Sequence, residues 1–291
     1  MAHDHGVSSD SKRRVWIALT LTSTFMVAEI VGGLLSGSLA LLADAGHMFT
    51  DTLALALAAV AFRVSTKPPD ARRSYGYARF QILAAFVNGI TLVLIVGWIL
   101  YEAVQRLMQP GPVLGGMMLA VAVAGLVVNI ACFYVLHGGD QDNLNIRGAA
   151  LHVLGDLLGS IGAIVAALVI MQTGWTPIDP LLSVLVALLI LNSAWRLVKR
   201  SAHILLEGVP EGVDTSDIKA RLIDAVPGAL DVHHIHVWSL TPDQPMLTMH
   251  VKVDSPERSS EVVRQIKDIL RRDFKIEHST IEPETEHCAD E

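Results

Sequence analysis

The chain has 291 residues, of which 52% are hydrophobic and only 18% charged, with a formal net charge of −7. So apolar a composition excludes an ordinary water-soluble domain and reads as an integral membrane protein. The acidity is concentrated at one end: residues 1–202 carry 13 Lys and Arg against 11 Asp and Glu, whereas 203–291 carry 9 against 18, which sets the last stretch apart as a soluble acidic domain and argues against nucleic acid as a partner.

Residues 1–14 form a polar N-terminal tail containing His3, Asp4 and His5 ahead of Lys12, Arg13 and Arg14. With nothing apolar to fix it, this stretch is expected to be disordered. The apolar run Val15 to Leu35 is longer than the core of a secretory signal and long enough to span a bilayer, so it reads as an uncleaved first helix. Five further spans are expected at Leu39 to Phe62, Ile82 to Val104, Leu114 to Leu136, Gly148 to Gln172 and Pro180 to Leu197. Together residues 15–202 make a six-helix, all-α transmembrane bundle.

Orientation follows from basic residues near the span ends. Lys12, Arg13, Arg14, Arg63, Lys67, Arg72, Arg73, Arg79, Arg147, Arg196, Lys199 and Arg200 fall on one side and only Arg106 on the other. Both termini and the acidic domain are therefore expected in the cytoplasm. The two cysteines, Cys132 and Cys288, imply no disulfide framework.

The most informative pattern occurs twice: His47 with Asp51 in the second span, and His152 with Asp156 in the fifth. Residues four apart share a helix face, so each span offers one imidazole and one carboxylate pointing the same way. Facing each other, the two helices present two nitrogens and two oxygens, a set suited to tetrahedral Zn²⁺ or a related divalent cation. Each ionisable group in lipid costs ~2.5–3.5 kcal/mol, which makes a purely structural role for two matched pairs hard to sustain. Asp44 continues the same stripe and either lines an exit path or hydrogen-bonds locally. Glu29, Asn88 and Asn129 are the other polar residues of the spans. Glycines such as Gly32, Gly33, Gly155, Gly159 and Gly162 read as close-packing positions.

Residues 203–291 change period. Helical spacing over Asp214 to Val226 is followed by alternation over Asp231 to Leu240 and Met246 to Asp254, then a second amphipathic helix, Glu257 to Phe274, and a third strand, Lys275 to Glu282. The order αββαβ predicts a small α+β domain of ferredoxin-like kind, an open sheet covered on one face by two helices. Strict alternation puts His234, His236 and Trp238 on one face, where His250 could join His234 and His236 as metal ligands.

With both His-x-x-x-Asp pairs in place, the chain resembles the cation diffusion facilitator family, and within it the bacterial zinc exporters. The stretches SGSLALLADAGHMFTD, YGYARFQILAAFVN, ALHVLGDLLGS, LLEGVP and VHHIHVWSL carry the likeness, which runs over nearly the whole length. The resemblance implies a homodimer in the bacterial inner membrane, embedded in lipid, that exchanges cytoplasmic Zn²⁺ for periplasmic protons. It also implies a transported-ion site at His47, Asp51, His152 and Asp156, and a cytoplasmic domain, 203–291, that dimerises and binds Zn²⁺.

In that domain the resemblance favours His233 and His250 as ligands, with Glu282 and Glu284 standing where relatives carry a His and an Asp. His287 and Cys288 are similar to tail ligands of some relatives. Family matching thus favours His233 and alternation favours His234. Arg79 and Glu207 correspond to a charge pair that locks helices three and six near the dimer interface of relatives. Some members bind a further metal in the loop after helix two. Here Asp70 is kept, but Arg73 and Tyr77 replace the histidines, so that site is expected to be absent or weak.

Ligation needs neutral His and ionised Asp, so protons and metal compete for the same atoms and exchange is built into the ligand set. The rivals are the same exporter with Cd²⁺, Co²⁺ or Ni²⁺ as cargo, a metal receptor that signals without transport, and an intramembrane metalloenzyme. The enzyme reading is disfavoured because no HExxH motif occurs and four protein ligands leave no open position for substrate.

Overall fold

The computed structural model describes the backbone of residues 9–137, 144–285 and 288, with side chains throughout except at 9–16, 136–137 and 144–155. His287, a candidate ligand, and the His3 to His5 stretch lie outside the described residues, as does the side chain of His152.

Six long helices come first: α1 Ser9–Ser36, α2 Leu39–Ser65, α3 Phe80–Met108, α4 Gly115–His137, α5 Leu144–Thr173 and α6 Ile178–Leu205. Each contains a stretch apolar and long enough to cross a membrane. The described residues form two compact units, one drawn from 9–57 and 87–196 and a second from 58–86 and 197–288.

In the first unit α4 packs along both α1 and α5. Glycines permit the approach: a Cβ at Gly32 would meet Val121 at 2.5 Å, and one at Gly115 would meet Met171 at 2.7 Å. Two apolar clusters fix α2. Ala40 and Leu41 pack with Met118, Ala122 and Ala163, whereas Leu39 and Ala43 pack with Val96, Ile99 and Ala187.

Helix six begins at Ile178 rather than Pro180, because proline is tolerated in the first turn, where its missing N–H has no intrahelical partner. That start brings Asp179 into the helix, fully buried. Its Oδ1 accepts from Ser38 Oγ at 2.6 Å and from the Ala40 N–H at 3.2 Å, and its Oδ2 accepts from the Leu39 N–H at 2.7 Å. Neighbouring Gly37 has φ +72°, a left-handed turn between α1 and α2 that favours glycine.

The second unit contains α7 Thr215–Ala225, β1 Ala229–Thr241, β2 Gln244–Val253, a 3₁₀ turn Pro256–Arg258, α8 Ser259–Phe274 and β3 His278–Glu284. The αββαβ order of the sequence reading is therefore present. Strands β1 and β2 form an antiparallel hairpin and β3 lies parallel to β2, in the order β1-β2-β3. Ile218 and Leu222 of α7 join Val262, Ile266 and Leu270 of α8 over one sheet face bearing Val232, Leu247, Met249 and Val251. Strand β3 starts later than the alternation indicates, because Lys275 adopts φ 58° and the Ile276 N–H bonds back to the Leu270 carbonyl, a left-handed stop to α8.

Candidate functional site

In α2, His47 Nδ1 lies 3.7 Å from Asp51 Oδ2, so the i, i+4 spacing brings imidazole and carboxylate together. One turn earlier Asp44 faces α5: a Cβ on Gly159 would sit 3.8 Å from Asp44 Oδ1. Successive spans alternate in direction, so α2 and α5 run antiparallel. A contact between residues 44 and 159 then sets His47 level with Asp156, and Asp51 level with residue 152, at 1.5 Å rise per residue. Asp156 is half-buried.

The polar face of the sheet carries a second cluster. His233 is paired with His250 across the β1–β2 ladder, and the register then slips so that His236, not Ile235, pairs with Thr248. The extra residue is His234, held at φ 48°. This β-bulge overturns the alternation argument: His233 and His236 share the face of His250, while His234 occupies the bulge. His234 stays nearby, its ring centroid 5.0 Å from that of His250.

Ligand-capable atoms of His233, His250, Glu284 and Cys288 all lie within 4.8 Å of one another. His250 Nδ1 is 2.7 Å from Glu284 Oε1 and 3.4 Å from Cys288 Sγ, and His233 Nε2 is 3.0 Å from Glu284 Oε2. Partial burial pushes the Glu284 carboxyl up, but hydrogen bonds from Cys288 and His250 and the proximity of both histidines outweigh it and hold the group below the usual carboxylate range. Two imidazoles, a carboxylate and a thiol converging on one point fit the donor set of a four-coordinate Zn²⁺. Glu282 is exposed and stands 3.9 Å from Nε2 of His250, whereas Glu284 and Cys288 meet Nδ1 of the same ring.

Arg79 and Glu207 form an ion pair at 3.1 Å, on the surface. In the loop after α2, Asp70 accepts from Tyr77 Oη at 2.7 Å and from the N–H groups of Arg72 and Arg73, while the Arg73 guanidinium lies 4.7 Å from the Tyr77 ring centroid. The Tyr77 bond and then the Arg72 amide hold the Asp70 carboxyl below its usual range. Its lone pairs are thus engaged by the residues that replace the expected histidines.

Asp179 was not among the polar residues that sequence reading selected. Its signal was an Asp-Pro pair opening an apolar run, but its partners lie about 140 positions away.

Six helices apolar and long enough to cross a membrane, one of them pairing His47 with Asp51, followed by an α+β domain in which His, Glu and Cys side chains gather as a metal could use them, define a multi-pass membrane protein. The chain belongs to the cation efflux family: residues 15–206 match the model of the cation efflux transmembrane domain, and 210–286 that of the cation efflux protein cytoplasmic domain. It is 50% identical to the zinc transporter ZitB of Pectobacterium atrosepticum, over 100% of this chain and 91% of the relative, and 51% identical to that of Escherichia coli, over 99% and 94%. A cadmium, cobalt and zinc/H(+)-K(+) antiporter of Bacillus subtilis is 42% identical over 98% of this chain and 93% of its own length. Among solved structures, the metal-bound C-terminal domain of the CzcD transporter from Cuprividus metallidurans matches 25% of this chain and 99% of its own, at 34% identity and a TM-score of 0.23.

Proposed function

We propose that the protein is a Zn²⁺/H⁺ antiporter that exports zinc from the cytoplasm across the bacterial inner membrane as a homodimer, with both termini cytoplasmic. The observation that supports this reading is the pairing of His47 with Asp51 on α2, one turn beyond the point where Asp44 approaches Gly159 of α5; antiparallel helices meeting there would carry the pair level with residue 152 and Asp156. In the proposed cycle His47, Asp51, His152 and Asp156 bind Zn²⁺ when facing the cytoplasm and exchange it for protons when facing outward, since both compete for the same lone pairs. Moving Zn²⁺ outward against an inside-negative potential costs ~4.6 kcal/mol per 100 mV, and each returning proton offsets about half of that. Two protons make the exchange electroneutral, whereas one leaves it dependent on the pH gradient.

Residues 15–202 then form the transport domain and 203–291 a dimerising, zinc-sensing domain. There His233, His250, Glu284 and Cys288 would hold a resident Zn²⁺, supplying a fixed charge that ties the tail to the sheet. The Arg79 and Glu207 pair is assigned to holding helices three and six together near the dimer contact.

The test is zinc-driven proton movement in sealed proteoliposomes, with Cd²⁺ and Co²⁺ in parallel. Coupled fluxes in the intact protein, lost in Asp51→Ala and Asp156→Ala variants that remain folded dimers, are expected. Unchanged exchange in either variant would remove the paired site from the mechanism.

A further inference from the structure

Each of the first four N–H groups of α2 has an acceptor, and two of the four find it on another helix. A helix leaves its first N–H groups without intrahelical partners, and in an apolar setting water is not at hand to take them. Here the Leu39 and Ala40 N–H groups donate to Asp179 of α6, the Leu41 N–H donates to Ser38 Oγ at 3.2 Å, and the Leu42 N–H donates to the Ser38 carbonyl at 3.4 Å. Ser38 Oγ in turn donates to Asp179. The carboxylate also meets the positive end of the α2 dipole. From α3, Arg106 donates to the Gly37 carbonyl and pairs with Glu102 at 2.9 Å, so the same turn is gripped from a second side.

We propose that Asp179 is a positioning residue for metal transport: by capping α2 from α6 it fixes the height of the helix that presents His47 and Asp51. The inference rests on the transport reading above. His47 follows Leu39 by about 12 Å along the helix and Asp51 by about 18 Å, so a shift of the first turn is transmitted along a rigid rod to both ligands. Because His47 and Asp51 must meet α5 at matching heights, an axial displacement degrades the ligand geometry before it unfolds anything. Asp179 itself touches neither ligand; it acts through Ser38, Leu39 and Ala40. The carboxylate is suited to the task because its two oxygens accept three donors at once, which neither an amide nor a hydroxyl can match.

The experiment compares the full-length protein with its Ser38→Ala, Asp179→Asn and Asp179→Ala variants in sealed vesicles, reading zinc KM, maximal rate and pH profile, together with amide hydrogen exchange at residues 39–41. Ser38→Ala and Asp179→Asn are each expected to raise the zinc KM about fivefold to tenfold, the scale of one lost cap bond, with an unshifted pH profile and faster exchange at the first turn of α2. Asp179→Ala is expected to lose more. The near-isosteric Asn variant carries the test if the Ala variant fails to fold. Three results would overturn the proposal: a pH profile that moves in Asp179→Asn while the α2 amides stay protected, which makes Asp179 a proton carrier; faster exchange with an unchanged KM; or no change in either readout. If the unsubstituted protein moves no zinc, the transport reading fails on its own, and hydrogen exchange separately decides whether Asp179 caps α2.

Discussion

His233 stands directly opposite His250 across the β1–β2 ladder because His234, at φ 48°, takes up one residue of slack as a bulge. Without the bulge, alternation would send His233 to the helix-covered face. A left-handed conformation strains a residue with a side chain and is open to glycine. His234→Gly is therefore expected to leave zinc affinity within about twofold and to raise the stability of the α+β domain by up to ~1 kcal/mol. His233→Ala should weaken zinc binding by at least tenfold, the scale of losing one ligand or its support. Isothermal titration and thermal unfolding of the full-length protein, side by side, check both.

Cys288 lies among the candidate metal ligands His233, His250 and Glu284, while Cys132 is fully buried in α4. Thiolate coordination blocks alkylation, and burial in a span blocks it in another way. Maleimide labelling is expected to modify one thiol per chain without metal and none with saturating zinc. Labelling that ignores zinc would remove Cys288 from the ligand set.

The spans were legible because long apolar runs have few alternatives, and the αββαβ order because its periods switch cleanly between helix and strand. The His47/Asp51 spacing could be read as one helix face, in keeping with their 3.7 Å approach. What could not be read were features set by distant partners. The bulge at His234 carries no Gly or Asn to announce it; only the pairing with β2 reveals it. Asp179 looks like a loop residue until its partners 139 to 141 positions away are seen. Glu284 could be matched by family position, yet its distinction from Glu282 came from which imidazole nitrogen each one meets.

The loop after α2 offers a gain-of-function test. Tyr77 Oη lies 2.7 Å from Asp70 and 3.3 Å from Arg73 Nη1, so imidazoles at positions 73 and 77 would fall within reach of one carboxylate. The double substitution Arg73→His and Tyr77→His is expected to add one bound zinc per chain, counted by metal analysis after equilibrium dialysis. Unchanged stoichiometry would mean that the loop backbone, not the two side chains, bars metal.

Gly37 joins two constraints. Its φ is +72°, and a Cβ there would meet the Pro112 carbonyl oxygen at 2.9 Å. Gly37→Ala is expected to cost about 1–3 kcal/mol through backbone strain and that clash. Because the same turn carries the Asp179 cap, its loss should show first as faster amide exchange at residues 39–41, with a lower thermal midpoint in detergent. Equal midpoints and exchange would show that the turn relaxes without consequence.

Asp273 supplies the pH prediction. Its carboxylate accepts from Arg272 Nε at 2.7 Å and from Arg221 Nε of α7 at 3.1 Å, which joins the two helices that cover the sheet. The Arg272 bond first, then the Arg221 bond, hold its pKa below the ordinary aspartate value. A folded value that is depressed means that the unfolded chain binds the proton more readily. The contribution to stability is therefore fully present above the ordinary value of ~3.9 and is lost as pH falls through the lower, folded one. Other carboxylates titrate in the same range, so the informative quantity is the difference between the intact protein and Asp273→Asn. That difference is expected to be constant from neutral pH down to about 5 and to shrink towards pH 3, and to be smaller in high salt because the pair lies near the surface. Thermal midpoints of both proteins across that range, at two ionic strengths, measure it, and a difference that grows on acidification would reverse the assigned direction.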